Sequence, residues 1–169
     1  MVVADECKVQ REPNKYYRWN SRGQTPVVKV DRKKGDAVSF YGGLSYKNKQ
    51  VIGHITYGRQ NSKETCLFLE EIKKTYKGKG KVLIVWDGAS HHFGEVNQWL
   101  KDNPGVVELT NFPPYCPDLN PQEHVWKAMR ANLLQVQHQY SYQDLIDRAC
   151  RFLRTQTFDY QFPFTADLI

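Results

Sequence analysis

The chain contains no run of about 18 consecutive apolar residues, so no segment is written as a membrane-spanning helix. Met1 to Asp5 is too short for the apolar centre of a secretion signal, and the acids Asp5 and Glu6 follow at once. Closely spaced cysteines are also missing. Cys7, Cys66, Cys116 and Cys150 stand far apart, without metal-ligand spacing and without the density of a disulfide framework, so reduced and mostly buried thiols are expected. No internal repeat, low-complexity stretch or linker rich in Ser, Gly and Pro divides the 169 residues, which predicts one domain over residues 1–169. Together these absences predict a soluble cytoplasmic domain with no membrane partner.

Apolar residues make up 40% of the chain and charged residues 25%, which excludes the disordered and fibrous classes. Basic residues number 24 against 18 acidic ones, and the resulting +6 suits a polyanion partner such as nucleic acid.

The first half reads as β: short apolar runs at 1–4 and 26–30, then strand-forming stretches at 37–46 and 51–57 around turn residues 47–49. This spacing predicts an antiparallel meander. Asn61 or Ser62 is placed to cap a helix from Lys63 to about Tyr76, with Leu67 and Ile72 on its inner face and Gly78 and Gly80 at its end. The run VLIVW, residues 82–86, is apolar at every position, as expected of a strand buried on both faces of an α/β sheet. A short helix at 95–100, a strand at 106–109 and a rigid non-helical loop at 113–117 follow. Asn120 then opens a helix with Pro121 at its first position and Val125, Met129, Leu133 and Val136 on one face. A last helix over about 142–153 buries Leu145, Ile146, Ala149, Cys150 and Leu153. The order predicts a mixed α/β sheet flanked by helices.

Three kinds of position hold carboxylates suited to chemistry. Asp87 directly follows the VLIVW strand, where side chains face the crevice at strand ends; the plainer alternative is an Asp that caps the next turn. Glu123 lies three residues after Asn120, which is capping-box spacing, yet the same geometry points its carboxylate out of the first helical turn. Asp5 and Asp31 each follow an apolar run, and spacing alone does not choose between them; Asp36 sits in a more loop-like context. Carboxylates from two strands and a helix suit a hard divalent cation, Mg²⁺ or Mn²⁺, which takes oxygen ligands and keeps several waters. Two such ions activate an attacking oxygen and stabilise the leaving oxygen of a phosphodiester. Without metal, close carboxylates raise one another's pKa.

Other arrangements fail. Gly78-Lys79-Gly80-Lys81 precedes a strand, whereas a phosphate-binding loop follows one and opens a helix. Gly88-Ala89-Ser90-His91-His92 lacks the second glycine of a hydrolase elbow, which argues against Ser90 as a nucleophile. Trp86 reads as core. His91, and His124 beside Glu123, are candidate auxiliary groups, because imidazole titrates near neutrality.

At this point the chain resembles DDE transposases of the mariner superfamily and its bacterial insertion-sequence branch. Trp86-Asp87-Gly88-Ala89-Ser90-His91-His92 looks like the second motif, and Pro113-Pro114-Tyr115-Cys116-Pro117-Asp118-Leu119-Asn120-Pro121-Gln122-Glu123 like the third. The 35 residues between Asp87 and Glu123, positions 88 to 122, are close to the usual spacing of that superfamily. Asp5-Glu6, Trp19 and Gly23-Gln24-Thr25-Pro26 resemble the first motif, so the resemblance selects Asp5 over Asp31.

The resemblance implies an RNase H-like fold, a mixed five-stranded sheet flanked by helices. The first Asp would lie on strand one, the second on the adjacent strand four, and the Glu on a later helix. It implies that Asp5, Asp87 and Glu123 hold two Mg²⁺ ions, with Mn²⁺ able to substitute, and catalyse DNA strand cleavage and strand transfer. DNA, as element ends and target, is the implied partner; a homodimer and a separate DNA-binding polypeptide are further expectations, since the family's N-terminal helix-turn-helix region is not matched. Basic groups available for phosphate are Lys29, Arg32, Lys33 and Lys34, then Lys73, Lys74, Lys77, Lys79 and Lys81. The alternatives are a nucleic-acid-binding module of the same fold without catalysis, and a related nuclease that only hydrolyses. The aromatic tail, Phe158, Tyr160, Phe162 and Phe164, is expected to pack on its own domain or on a second subunit.

Overall fold

The run VLIVW becomes the strand β4 (Val82–Trp86), which lies between two parallel neighbours, and its composition follows from that position. The computed structural model describes residues 1–10, 21–24, 37–89, 94–113, 116–134 and 141–163. Among these residues β1 (Val2–Gln10), β2 (Ala37–Ser45), β3 (Val51–Thr56), β4 and β5 (Val107–Asn111) form one sheet in the order β3-β2-β1-β4-β5. The first three strands are an antiparallel meander, and β4 and β5 run parallel to β1. Four helices, α1 (Ser62–Thr75), α2 (Glu95–Asp102), α3 (Pro121–Leu134) and α4 (Tyr142–Thr155), cover the two faces. This is the mixed five-stranded sheet flanked by helices expected from the sequence.

Alternation along the strands divides the core in two. Val2, Ala4, Tyr41, Val82, Ile84 and Trp86 face α1 and α2, where they meet Phe68, Leu69, Ile72, Val96 and Trp99. Val3, Cys7, Val9, Phe40, Leu44 and Val85 face α3 and α4, against Val125, Trp126, Met129, Leu133, Leu145 and Ile146. Trp86 is therefore core, as read from the sequence.

Several expectations need correction. The first strand does not stop at Ala4: it pairs with β2 along its whole length, from Val2 opposite Ser45 to Gln10 opposite Ala37, so Asp5 lies inside β1 instead of after it. The polar residues Glu6, Lys8 and Gln10 are tolerated because alternate positions, Cys7 and Val9, still supply the buried face. Leu67 points outward, 49% exposed; Thr65, Phe68, Leu69 and Ile72 form the inner face of α1 instead. Of the four thiols, all free, only Cys7 is buried and the others are half-buried. Pro117 opens a short 3₁₀ turn, Pro117–Leu119, since a first-turn proline has no N–H to lose. The proposed strand at 26–30, Asp31, Asp36, Trp19, Val136 and Phe164 lie outside the described residues.

The described part of the tail, to residue 163, packs on its own domain. Phe158 and Phe162 are buried in the α3/α4 core, and the Phe158 N–H donates to the Lys49 carbonyl at 2.7 Å. Lys49 lies over the rings of Tyr46 and Phe162 at 5.2 and 5.0 Å, which ties the β2–β3 turn to the tail.

Asn61 is the cap of α1: its side-chain oxygen accepts from the Glu64 N–H at 3.1 Å. Asn61→Ala is expected to cost about 1 kcal/mol, read as a lower urea midpoint with an unchanged slope.

Candidate active site

Parallel pairing sets the first two carboxylates level. Val2 lies opposite Ile84 and Val3 opposite Val85, so two residues further along each chain bring Asp5 beside Asp87. Asp87 comes just past the end of β4, and its Oδ1 accepts from the Ala89 N–H at 3.0 Å. The turn-capping role anticipated for this residue is real. It occupies one oxygen and leaves the carboxylate exposed at the strand end.

The third carboxylate comes from the first turn of α3. Asn120 caps that helix by accepting from the Gln122 N–H at 3.0 Å, whereas its own N–H donates to the Pro117 carbonyl at 2.9 Å. The backbone donor that a capping box would offer to Glu123 is therefore engaged elsewhere. Glu123 is exposed, and with Asp5, Asp87, Gly88, Phe112, Cys116 and Asn120 it lines a cleft of about 250 Å³.

Close approach of α3 to the sheet depends on Gly42, the residue opposite Asp5 in β2. A Cβ there would come within 2.4 Å of the Trp126 ring and 2.7 Å of the Gln122 amide nitrogen. Trp126, 1% exposed, sits in this notch and donates its indole N–H to Asp5 Oδ2 at 3.0 Å. One turn further along α3, Arg130 reaches the Cys7 sulfur at 3.1 Å. Residues 123, 126 and 130 of α3 thus face β1 in sequence. Gln122 is fully buried beside Gly42, and neither its amide oxygen nor its nitrogen has a hydrogen-bond partner. An unpaired buried polar group costs about 1–3 kcal/mol, so the fold carries polar strain next to the carboxylates.

The electrostatics mark an excess of negative charge. Burial first, then the charges of Glu123, Glu6 and Asp87, push the Asp5 carboxyl up to about 8, against a smaller opposing effect of the Glu6 backbone N–H. Burial also raises the neighbouring Cys7 thiol to about 11, although Arg130 pulls it down, so this thiol is inert near neutrality. Among the described residues no three His, Cys, Asp or Glu side chains are drawn together closely enough to grip an ion as they stand. Mutual repulsion opposes such convergence. The donor set itself fits a hard cation: it is all oxygen on the carboxylates, it opens to solvent, and it leaves places for waters of hydration.

His124 is exposed and its ring lies 5.3 Å from that of Tyr160, on the tail side of α3; it is not among the residues lining the cleft. Lys79 and Lys81 precede β4, at the end of that strand opposite Asp87, and Lys81 pairs with Glu108 at 2.9 Å. Lys73 and Lys74 pair with Glu70 and Glu71. His91, Lys29, Arg32, Lys33 and Lys34 lie outside the described residues. Asn120 is the helix opener expected from the sequence, whereas Gly42 and Trp126 are not marked there as parts of the site. The Gly42-Gly43 doublet inside a strand was the available signal, because glycine in a strand marks close approach of another element.

Residues 1–146 match the family model described as DDE superfamily endonuclease. A curated relative, the Insertion element IS630 uncharacterized 39 kDa protein of Shigella sonnei, is 28% identical over 155 residues, covering 89% of this chain and 43% of the relative. The chain therefore spans less than half the length of that protein. Among solved structures, the mariner Mos1 paired end complex with Mg superposes with a TM-score of 0.69 at 16% identity, covering 96% of this chain and 50% of that one. The catalytic core domain of BIV integrase gives a TM-score of 0.54 at 10% identity, covering 94% and 86% of the two chains. These likenesses establish the fold, and the match over 1–146 establishes that the chain belongs to the DDE superfamily endonucleases.

Proposed function

We propose that the chain is the catalytic domain of a transposase that cleaves DNA and transfers strands, with Asp5, Asp87 and Glu123 as its acidic triad. The observation that carries the reading is that these three residues, from β1, the end of β4 and the start of α3, line a single cleft. Asp5, Asp87 and Glu123 would hold two Mg²⁺ or Mn²⁺ ions, which when bound activate the attacking oxygen and stabilise the leaving oxygen of a phosphodiester. The structurally similar mariner Mos1 paired end complex with Mg supports that choice.

The chain's own residues prepare the cleft. Ala89 fixes Asp87 through its Oδ1, Trp126 fixes Asp5 through its Oδ2, and the Asn120 cap sets the first turn from which Glu123 projects. Water gives up a proton and attacks the scissile phosphorus as the 3′ oxygen departs and is protonated; the freed 3′-hydroxyl then gives up its proton and attacks a phosphodiester of target DNA, whose own 3′ oxygen departs and is protonated. DNA is the substrate and partner. The greater length of the Shigella sonnei relative leaves room for a separate or additional segment that recognises element ends.

Supercoiled plasmid tests the proposal. Nicking is expected in Mg²⁺ or Mn²⁺ and not in EDTA, and Asp87→Ala or Glu123→Ala is expected to abolish it. Binding without cleavage in either ion would favour the inactive module, and hydrolysis without strand-transfer products would favour the simple nuclease.

A further inference from the structure

Asp5 differs from its two partners in the cleft. Asp87 and Glu123 are exposed at element ends, whereas Asp5 sits in the middle of β1 between Val3 and Cys7, on the face that α3 covers. We propose that Trp126 is the positioning residue of Asp5: its indole N–H, held in the notch at Gly42, fixes one carboxylate oxygen and thereby sets the orientation in which Asp5 meets a cation. This inference rests on the triad reading above.

Four observations support it. The indole–carboxylate distance is 3.0 Å, and the indole is buried, so water does not compete for its N–H. The donor is neutral, so it orders the carboxylate without cancelling the charge that a cation needs, as Lys or Arg would. Gly42 lies directly opposite Asp5 in the β1–β2 register, and only the absence of a Cβ admits the ring at that level. Trp126 also follows Glu123 by three residues on the same helix, so one rigid element presents the third carboxylate and orients the first. Phenylalanine would fill the notch and leave Asp5 without its indole donor.

The test is Mn²⁺ titration of the whole chain followed by electron paramagnetic resonance, with Asp5→Asn, Trp126→Phe and Trp99→Phe. Trp99 is the control, because it makes a comparable indole bond to Glu70 Oε1 at 2.7 Å, between α2 and α1, away from the cleft. Trp126→Phe is expected to weaken Mn²⁺ binding at least about tenfold, the usual effect of removing the hydrogen-bond partner of a ligand. Trp99→Phe should lower the melting temperature and leave Mn²⁺ affinity unchanged. In the wild-type protein, adding Mg²⁺ should shift the Trp126 indole N–H resonance and leave that of Trp99 in place. Asp5-dependent Mn²⁺ binding that survives Trp126→Phe at full strength, or an unmoved Trp126 resonance on saturation with Mg²⁺, overturns the inference. If Asp5→Asn binds Mn²⁺ as well as wild type does, the triad reading fails, and the positioning role falls with it.

Discussion

Asp5→Asn is expected to make the metal-free protein more stable near neutral pH and to abolish its metal-dependent cleavage. The folded-state carboxyl is raised from 3.8 to about 8. Between those limits the folded chain keeps a proton that the unfolded chain has lost, so stability falls as pH rises through this window and the loss is complete above it. The slope from this one group is at most about 1.4 kcal/mol per pH unit. Asparagine does not titrate and still offers an oxygen to the Trp126 indole, so it removes that slope while keeping the bond. Urea unfolding in EDTA at about pH 5 and about pH 8 reads the difference: wild type loses a few kcal/mol more than Asp5→Asn across the interval. Adding Mg²⁺ at the higher pH should restore wild type and leave the variant unchanged, by mass action on a site the variant lacks. Parallel pH profiles for the two proteins would mean that Asp5 is not the strained carboxyl. A variant that gains stability and loses chemistry is the expected signature of an acid kept for function.

The second large effect is expected from Gly42→Ala. The added carbon would lie 2.4 Å from Trp126 Cη2 and 2.7 Å from Gln122 Nε2. Both side chains are fully buried and have no solvent into which to swing, so the strain falls on the seat of α3. Overpacking of this kind costs about 1–3 kcal/mol or more. The larger consequence is geometric, because α3 carries Glu123 and the Asp5 donor together. Displacement of reacting groups by about 1 Å is enough for a roughly hundredfold loss of rate. The matched control is Gly53→Ala in β3, where the new carbon would meet only the Tyr41 carbonyl oxygen at an ordinary 3.5 Å. The expected result is a cleavage rate at least about tenfold below wild type for Gly42→Ala, at a temperature where it remains folded, and near-wild-type behaviour for Gly53→Ala. Equal rates for the two variants would show that close approach of α3 is not what assembles the cleft.

Much of this was legible in the residues because the relevant signals are local. VLIVW announces a central strand by continuous apolarity, Asn61 and Asn120 announce helix starts, and Pro121 marks a first turn. What stayed hidden depends on pairing between distant segments. The length of β1 is set by its match to β2, so the apolar run alone ends the strand at Ala4. Leu67 looks like core by composition, yet the phase of α1 is fixed by Phe68, Leu69 and Ile72 packing on the sheet, which turns Leu67 outward. The motifs name the three carboxylates that line the cleft, and they do not name Trp126. Its role needs Gly42, which lies 37 positions from Asp5 and 84 from Trp126, a relation that no helix or strand period encodes.

The central claim is that Asp5, Asp87 and Glu123 take up divalent cations in one cleft beside the DNA strand to be cut. Crystals soaked in Mn²⁺ and measured for anomalous scattering test it most directly. The account predicts anomalous peaks in the cleft with carboxylate oxygens of all three residues at about 2.0–2.2 Å, the distance typical of small hard cations. Mn²⁺ bound only elsewhere on the protein, with the three carboxylates uncoordinated at saturating ion, would contradict it.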